Sequence, residues 1–288
     1  MRPIWKSTLM QIEVTNACIN QCANCTRMVG HHKKVFFMDL DTIRKSIDNL
    51  DGFLGGIGLM GGEPTLHPQF REICKIYQEK IPDKTKRELW TSGYKWKEYE
   101  DIILETFDKE RISYNEHSTD GGVHQPLLVA MKEIVKDNKL RKELKDSCWV
   151  QHRWACCSIT PYGVYFCEIA GAMDILFNEG KNAVPNEPGW WKNTELFLKQ
   201  QKVCDLCGAP VPIGGMSDRA TFDLISKGNL KKLKDSPKVL AGNYAIYNKK
   251  WDKEQIAKDS RNWKPYNWRG HYEHCPDDTK NYNRNNKD

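Results

Sequence analysis

Leu9-Met10-Gln11-Ile12-Glu13-Val14 runs, after a short break, into Cys18-Ile19-Asn20-Gln21-Cys22-Ala23-Asn24-Cys25. Apolar and polar side chains alternate from Met10 to Val14, which is the two-residue period of a strand. A strand that empties into a loop of three cysteines presents their thiols at a sheet end, where ligand sites in α/β folds lie. Three donors are one fewer than a closed zinc site requires, and one fewer than an ordinary four-cysteine iron–sulfur cluster takes. Read alone, the loop is either a cluster site with one iron open to another ligand, or a piece of a zinc or redox centre.

The next segment, Leu40 to Leu50, has apolar residues at Leu40, Ile43, Ile47 and Leu50. That is helical spacing, with Asp39 or Asp41 placed to cap its start. Gly55 to Pro64 follows, and Gly56, Gly58 and Gly61 spell G-x-G-x-x-G. A dinucleotide-binding fingerprint should open a helix directly after a strand. Here the pattern spans the strand itself and ends in Glu63-Pro64, so that reading is rejected. The alternation then repeats: helix at Phe70 to Tyr77, strand at Glu88 to Gly93, helix at Trp96 to Phe107 and strand at Arg111 to His117. A helix at Leu127 to Val135 and a last strand at Cys148 to Gln151 complete it. Such a succession predicts parallel β/α units, with chemistry at the carboxyl ends of the strands.

The cysteine spacing and the Gly61-Gly62-Glu63-Pro64 motif one β/α unit later together resemble the radical S-adenosylmethionine (SAM) enzymes. The resemblance implies an α/β fold, a partial (β/α)6 barrel over residues 1–147. It implies a 4Fe–4S cluster held by Cys18, Cys22 and Cys25, with SAM chelating the remaining iron. Gly61, Gly62 and Glu63 would then shape the site of the methionyl amino group. Ser92 would lie near the ribose, and Asn115, at the next polar strand end, joins the cofactor-binding residues. One residue departs from the pattern: the family has an aromatic side chain before the third cysteine, and here it is Asn24.

Cysteines recur at 148, 156, 157, 167, 204 and 207. Ser158 to Cys167 reads as a hairpin turning at Pro161 to Gly163, and Cys204-Asp205-Leu206-Cys207-Gly208 is a C-x2-C knuckle. Four thiolates from such elements suit a zinc ribbon. They also resemble the twitch module, the short form of the SPASM extension of radical SAM enzymes, which carries one auxiliary 4Fe–4S cluster. The resemblance gives Cys167, Cys204 and Cys207 as ligands. The first is Cys156 or Cys157, with Cys148 as a further alternative. The cysteine-rich α+β unit is expected over 148–235, followed by a basic, aromatic-rich extension over 236–288. His117 and Glu168 are the candidate acid–base residues, since alcohol oxidation needs a base and His or a carboxylate serves. Arg153, His152, Asp174 and His124 are further residues placed to touch a substrate.

Composition narrows the partners. The chain has 288 residues, 44 Lys and Arg against 38 Asp and Glu, and 11 cysteines. A mild positive excess permits an anionic substrate but is a weak footprint for nucleic acid. The last forty residues interleave aromatic and basic side chains, yet ten Lys and Arg face seven Asp and Glu there. No signal-peptide core or membrane-spanning run is evident, so a reducing cytoplasm is expected, with cysteines as metal ligands rather than disulfides. Cys74 reads as a buried structural thiol, His31 and His32 as loop, and Trp190-Trp191 as packing. His271, His274 and Cys275 are a remote further ligand set.

The expected function is a radical SAM oxidoreductase that takes a hydrogen atom from a small hydroxylated substrate, a sugar or aminocyclitol. Its electron donor would be a flavodoxin or ferredoxin. Two alternatives stand beside it: a maturase of a ribosomally made peptide, and a non-catalytic iron–sulfur or zinc scaffold.

Overall fold

Leu9–Thr15 forms the first strand, β1, and all seven residues are buried. Gln11 and Glu13, the polar members of the alternation, are therefore inside the molecule rather than on a wet face. The structure, a computed structural model, describes residues 1–115 and 122–261. Three β/α units follow the cysteine loop: α1 (Leu40–Asp48), β2 (Gly56–Gly61), α2 (Phe70–Lys80), β3 (Arg87–Thr91), α3 (Trp96–Thr106) and β4 (Ile112–Tyr114). Asp39 caps α1 by accepting from the Thr42 amide at 2.8 Å. The helices bury one stripe each, led by Ile43 and Ile47, by Phe70, Ile73 and Tyr77, and by Tyr99, Ile102 and Ile103. All four strands are parallel neighbours.

The chain then departs from the expected alternation. A two-residue strand, β5 (Val123–His124), is followed by α4 (Met131–Ile134), a single turn where a longer helix over 127–135 was expected, and by α5 (Asn138–Asp146). The expected last strand at 148–151 is not one. Val150–Trp154 coils as a short π-type helix, and Ala155, with φ of +53°, turns the chain back toward the sheet. The strand is instead β6 (Cys156–Thr160), which lies parallel to β1 with Leu9 opposite Cys156 and Ile12 opposite Ile159. The hairpin is as expected: β7 (Gly163–Tyr165) returns antiparallel to β6. Gly163 has φ of +131°, and a Cβ there would come within 2.3 Å of the Val184 carbonyl oxygen.

Among the described residues the resulting sheet has the order β4-β3-β2-β1-β6-β7, with five parallel strands and one antiparallel. The sheet continues through the boundary expected between residues 147 and 148. The reason is the burial of β1: a strand buried on both faces, as parallel strands commonly are, needs a neighbour on each edge, and β6 supplies the second.

Helix α6 (Glu168–Asn178) packs on the hairpin, followed by a long 3-10 segment, Thr194–Leu206. Beyond it come β8 (Met216–Ser217), which pairs with β5, and β9 (Asp223–Ile225). Then follow α7 (Lys227–Lys232), α8 (Pro237–Leu240), β10 (Tyr244–Ile246), which pairs with β9, and α9 (Lys253–Ser260). Trp190 and Trp191 are buried, the latter edge-on to Phe53 at 5.5 Å, so they pack as expected. Cys74 is fully buried in the main core. No helix among the described residues is long and apolar enough to cross a membrane.

Candidate functional site

The carboxyl ends of β1, β2 and β3 open into one cavity of about 1180 Å³, counted out to its mouth. Cys18, Cys22 and Cys25 line it together with Gly61, Gly62, Ser92 and Asn115. Glu168 and Cys156 reach it from the hairpin side. Residues widely separated in sequence thus share one concavity. The two glycines bring β2 against the start of the cysteine loop. A Cβ on Gly61 would fall 2.2 Å from the Thr15 carbonyl oxygen, and one on Gly62 would fall 2.2 Å from that of Ala17.

Glu63 is fully buried and does not line the cavity. Its Oε1 accepts from the Thr91 hydroxyl at 2.7 Å and from Thr65, while Oε2 accepts from the Ser92 amide and hydroxyl at 2.7 and 2.6 Å. The carboxylate therefore ties the end of β2 to the end of β3 and aims Ser92. Ser92, held by Glu63, is the residue of the two that lines the cavity.

Arg27, two residues beyond Cys25, is the main side chain that the sequence reading missed. Its Nη2 is 2.8 Å from Glu168 Oε2 and 2.8 Å from Gln11 Oε1, and its Nε is 3.6 Å from Glu13 Oε1. Burial works against the charged guanidinium, but the two carboxylates outweigh that penalty and raise its pKa. Glu13 is pushed up by burial, against the pull of Arg27 and of the Ser158 hydroxyl that donates to it. Cys156 completes the group, with Sγ 3.7 Å from Glu168 Oε2. Gln11 lines the cavity, and Glu13, on the same face of β1, holds Arg27 from behind. His124 also lines the cavity and its Nδ1 is 2.7 Å from the Ala23 carbonyl oxygen. His117 lies outside the described residues, as do His271, His274 and Cys275.

Asn24 has φ of +50°, a left-handed conformation in which Asn is several-fold enriched. Its side-chain oxygen accepts from the Leu224 amide at 3.2 Å, and its own amide donates to Asp223 Oδ1 at 2.5 Å. The residue turns the cysteine loop so that it docks on β9. His31, expected in a loop, is buried and stands 2.7 Å from Asp223 Oδ2 and 3.0 Å from Ser236 Oγ.

A second cavity, about 320 Å³ to its edges, is lined by Cys148, Cys167, Cys204 and Cys207 among apolar side chains that include Phe166, Met173 and Val203. All four thiols are buried. Cys156 and Cys157 stand outside this cavity: Cys156 faces the first one, and Cys157 Sγ lies 3.2 Å from Ser7 Oγ. Cys148, the further alternative, is the cysteine that lines this cavity with Cys167, Cys204 and Cys207.

Both thiol sets have the chemistry of metal ligands. Backbone amides point at sulfur: Asn20 at Cys18 and Ala209 at Cys207, both at 3.4 Å, and Ala170, in the first turn of α6, at Cys167. Amide bonds to sulfur and a helix N-terminus favour thiolate and tune clusters. Burial nonetheless pushes the free thiols up, Cys18 and Cys204 to about 12 and Cys148 to about 11. Thiols this reluctant to ionise release protons when a metal takes them. Among the described residues, no three His, Cys, Asp or Glu side chains converge on a single metal-ion position. Three thiols in one cavity and four in the other are soft donors of the kind that take zinc or an iron–sulfur cluster.

No family model matches the chain, and no curated protein matches it. Among solved structures it is similar to selenomethionine BtrN in an open conformation, with a TM-score of 0.43 and 18% identity over 69% of this chain and 86% of that one. It is also similar to BtrN in complex with AdoMet and 2-DOIA, with a TM-score of 0.42 and 17% identity over 70% of this chain and 91% of that one.

Proposed function

We propose that the chain is a radical SAM oxidoreductase acting on a small hydroxylated substrate, a sugar or aminocyclitol. The observation that carries this reading is the shared cavity. The three thiols of the cysteine loop, the Gly61-Gly62 backbone and Ser92 line one space, with a charged Arg27–Glu168 pair on its far wall. In this reading Cys18, Cys22 and Cys25 hold a 4Fe–4S cluster, and SAM bound to it supplies a 5′-deoxyadenosyl radical that takes a hydrogen atom from substrate. Gly61 and Gly62 lend backbone to the SAM amino acid, and Ser92, aimed by Glu63, and Asn115 meet the nucleoside.

Cys148, Cys167, Cys204 and Cys207 hold a second cluster, which accepts an electron when the outcome is dehydrogenation. Glu168 directly follows Cys167 in sequence and reaches the first cavity, so one element spans both sites. It carries substrate hydroxyl or amino groups and takes a proton from them, while Arg27 holds the carboxylate in place. The reductant is a flavodoxin or ferredoxin.

Anaerobic reconstitution tests the reading. The expected result is about eight irons and eight sulfides per chain for two four-iron clusters, with reductive cleavage of SAM to 5′-deoxyadenosine. Cys18, Cys22 and Cys25 changed together to Ala should abolish cleavage and leave about four irons. Stoichiometric zinc without SAM cleavage would favour the scaffold alternative.

A further inference from the structure

Lys238 is a buried cation on the back of the cysteine loop. Its side chain is 3% exposed, and Nζ stands 2.8 Å from Asp223 Oδ1, 3.1 Å from the Cys22 carbonyl oxygen and 3.3 Å from that of Gln21. The stem passes Gly30 so closely that a Cβ there would lie 3.0 Å from Lys238 Cδ. Asp223 is shared in turn between Lys238, the Asn24 amide and His31. A lysine is almost never this buried unless it is paired, and a well-packed apolar residue commonly serves stability as well as a buried ion pair does. Stability alone therefore gives no reason for an ammonium behind a thiol loop.

We infer that Lys238 is a positioning residue for the group held by Cys18, Cys22 and Cys25: it fixes the Gln21–Cys22 backbone, and its charge, opposed by Asp223, sets that group's reduction potential. The inference rests on the iron–sulfur reading of the triad. Cluster potentials respond to nearby charge, hydrogen bonding and solvent exposure, and charges act over longer range in a dry interior than in water. A fixed positive charge favours the reduced, more negative state.

The two partners predict opposite effects. Removing Lys238 leaves Asp223 facing the loop and moves the midpoint to more negative potential. Neutralising Asp223 leaves the ammonium and moves it to more positive potential. A contact of purely structural importance would not reverse sign between them.

The test uses the reconstituted full chain and a redox titration of the paramagnetic signal that changes when SAM is added. Lys238→Met should titrate below wild type, Asp223→Asn above it, and Lys238→Arg with it. Identical midpoints throughout, or shifts of K238M and D223N in the same direction, overturn the inference. If K238M takes up no iron at the triad, the other two variants decide. K238R at the wild-type midpoint with D223N shifted upward supports it, and both at the wild-type midpoint overturns it. Wild-type protein that binds iron but gives no SAM-responsive signal overturns the functional reading beneath it, and is seen before any variant is made.

Discussion

Cys156 and Cys157 are neighbours in sequence and belong to opposite sides of the sheet. Cys156 Sγ lies 3.7 Å from Glu168 Oε2 in the first cavity, while Cys157 Sγ lies 3.2 Å from Ser7 Oγ and is fully buried. Successive residues of a strand point to opposite faces, and β6 obeys that rule; neither thiol lines the second cavity. The expected consequence is specific. Cys148→Ala should halve the iron of the reconstituted protein, from about eight to about four per chain. Cys156→Ala and Cys157→Ala should each keep the full complement. Iron and sulfide analysis checks it, and full iron in C148A would return the fourth ligand to the hairpin.

Glu63 is the clearest case of a site residue whose role is indirect. It accepts from Thr65, Thr91 and Ser92 while fully buried. Glu63→Gln replaces an acceptor oxygen by a donor NH2 that faces other donors. An unsatisfied buried polar group costs about 1–3 kcal/mol, so the urea midpoint should fall accordingly. A midpoint unchanged from wild type would mean that the Ser92 end of β3 is held by something else.

The first half of the fold was legible because its signals are local. Helical spacing at Ile43 and Ile47, strand alternation from Met10 to Val14 and the glycine pair before Glu63 each act within one β/α unit. The second half turns on long-range partners that no window contains. Cys148 reaches the knuckle through a helical turn that ends in a left-handed alanine, Ala155. Asn24 meets Asp223 from 199 residues away, and Lys238 meets the Cys22 carbonyl from 216. The alternation at Gln11 and Glu13 was read correctly as a strand but gave no sign that its polar face is the interior. That depends on β6 closing the far edge of β1.

His67 makes stability depend on pH. It is buried, its Nδ1 accepts from the Gln69 amide at 3.1 Å, and its Nε2 donates to the Met38 carbonyl at 2.9 Å. That pattern uses one neutral tautomer, and protonation at Nδ1 would break the Gln69 bond. Burial lowers the pKa, only partly countered by the carbonyl. A histidine with a folded pKa below its unfolded value gives its full stability above about 6.5, and that stability falls as pH drops through the interval below. His32 is lowered by burial as well and adds in the same direction. Urea midpoints between pH 5 and 8 should decline toward pH 5, and His67→Gln should flatten part of that slope. A slope equal to wild type would assign it to other groups.

Arg27 joins the strand, the hairpin and the cavity, so its removal has the largest expected effect. Arg27→Met leaves Glu13 and Glu168 facing each other across a dry space without their cation. Breaking a buried ion pair from one side costs about 3–5 kcal/mol at neutral pH. Glu13, already pushed up by burial, can escape that cost by binding a proton once the Arg27 charge that held it down is gone. A raised carboxylate pKa makes the folded state bind more protons, so the variant gains stability relative to wild type as pH falls. The gap between R27M and wild type should therefore be widest near pH 8 and narrow toward pH 5. Chemical denaturation at both pH values measures it, and a gap independent of pH would mean that the loss is packing rather than charge. The pairing of Arg27→Met with Glu168→Gln sharpens the point. If Glu168 is held ready for substrate by this arginine, the double variant should recover part of the stability lost in R27M alone, because one uncompensated carboxylate has been removed.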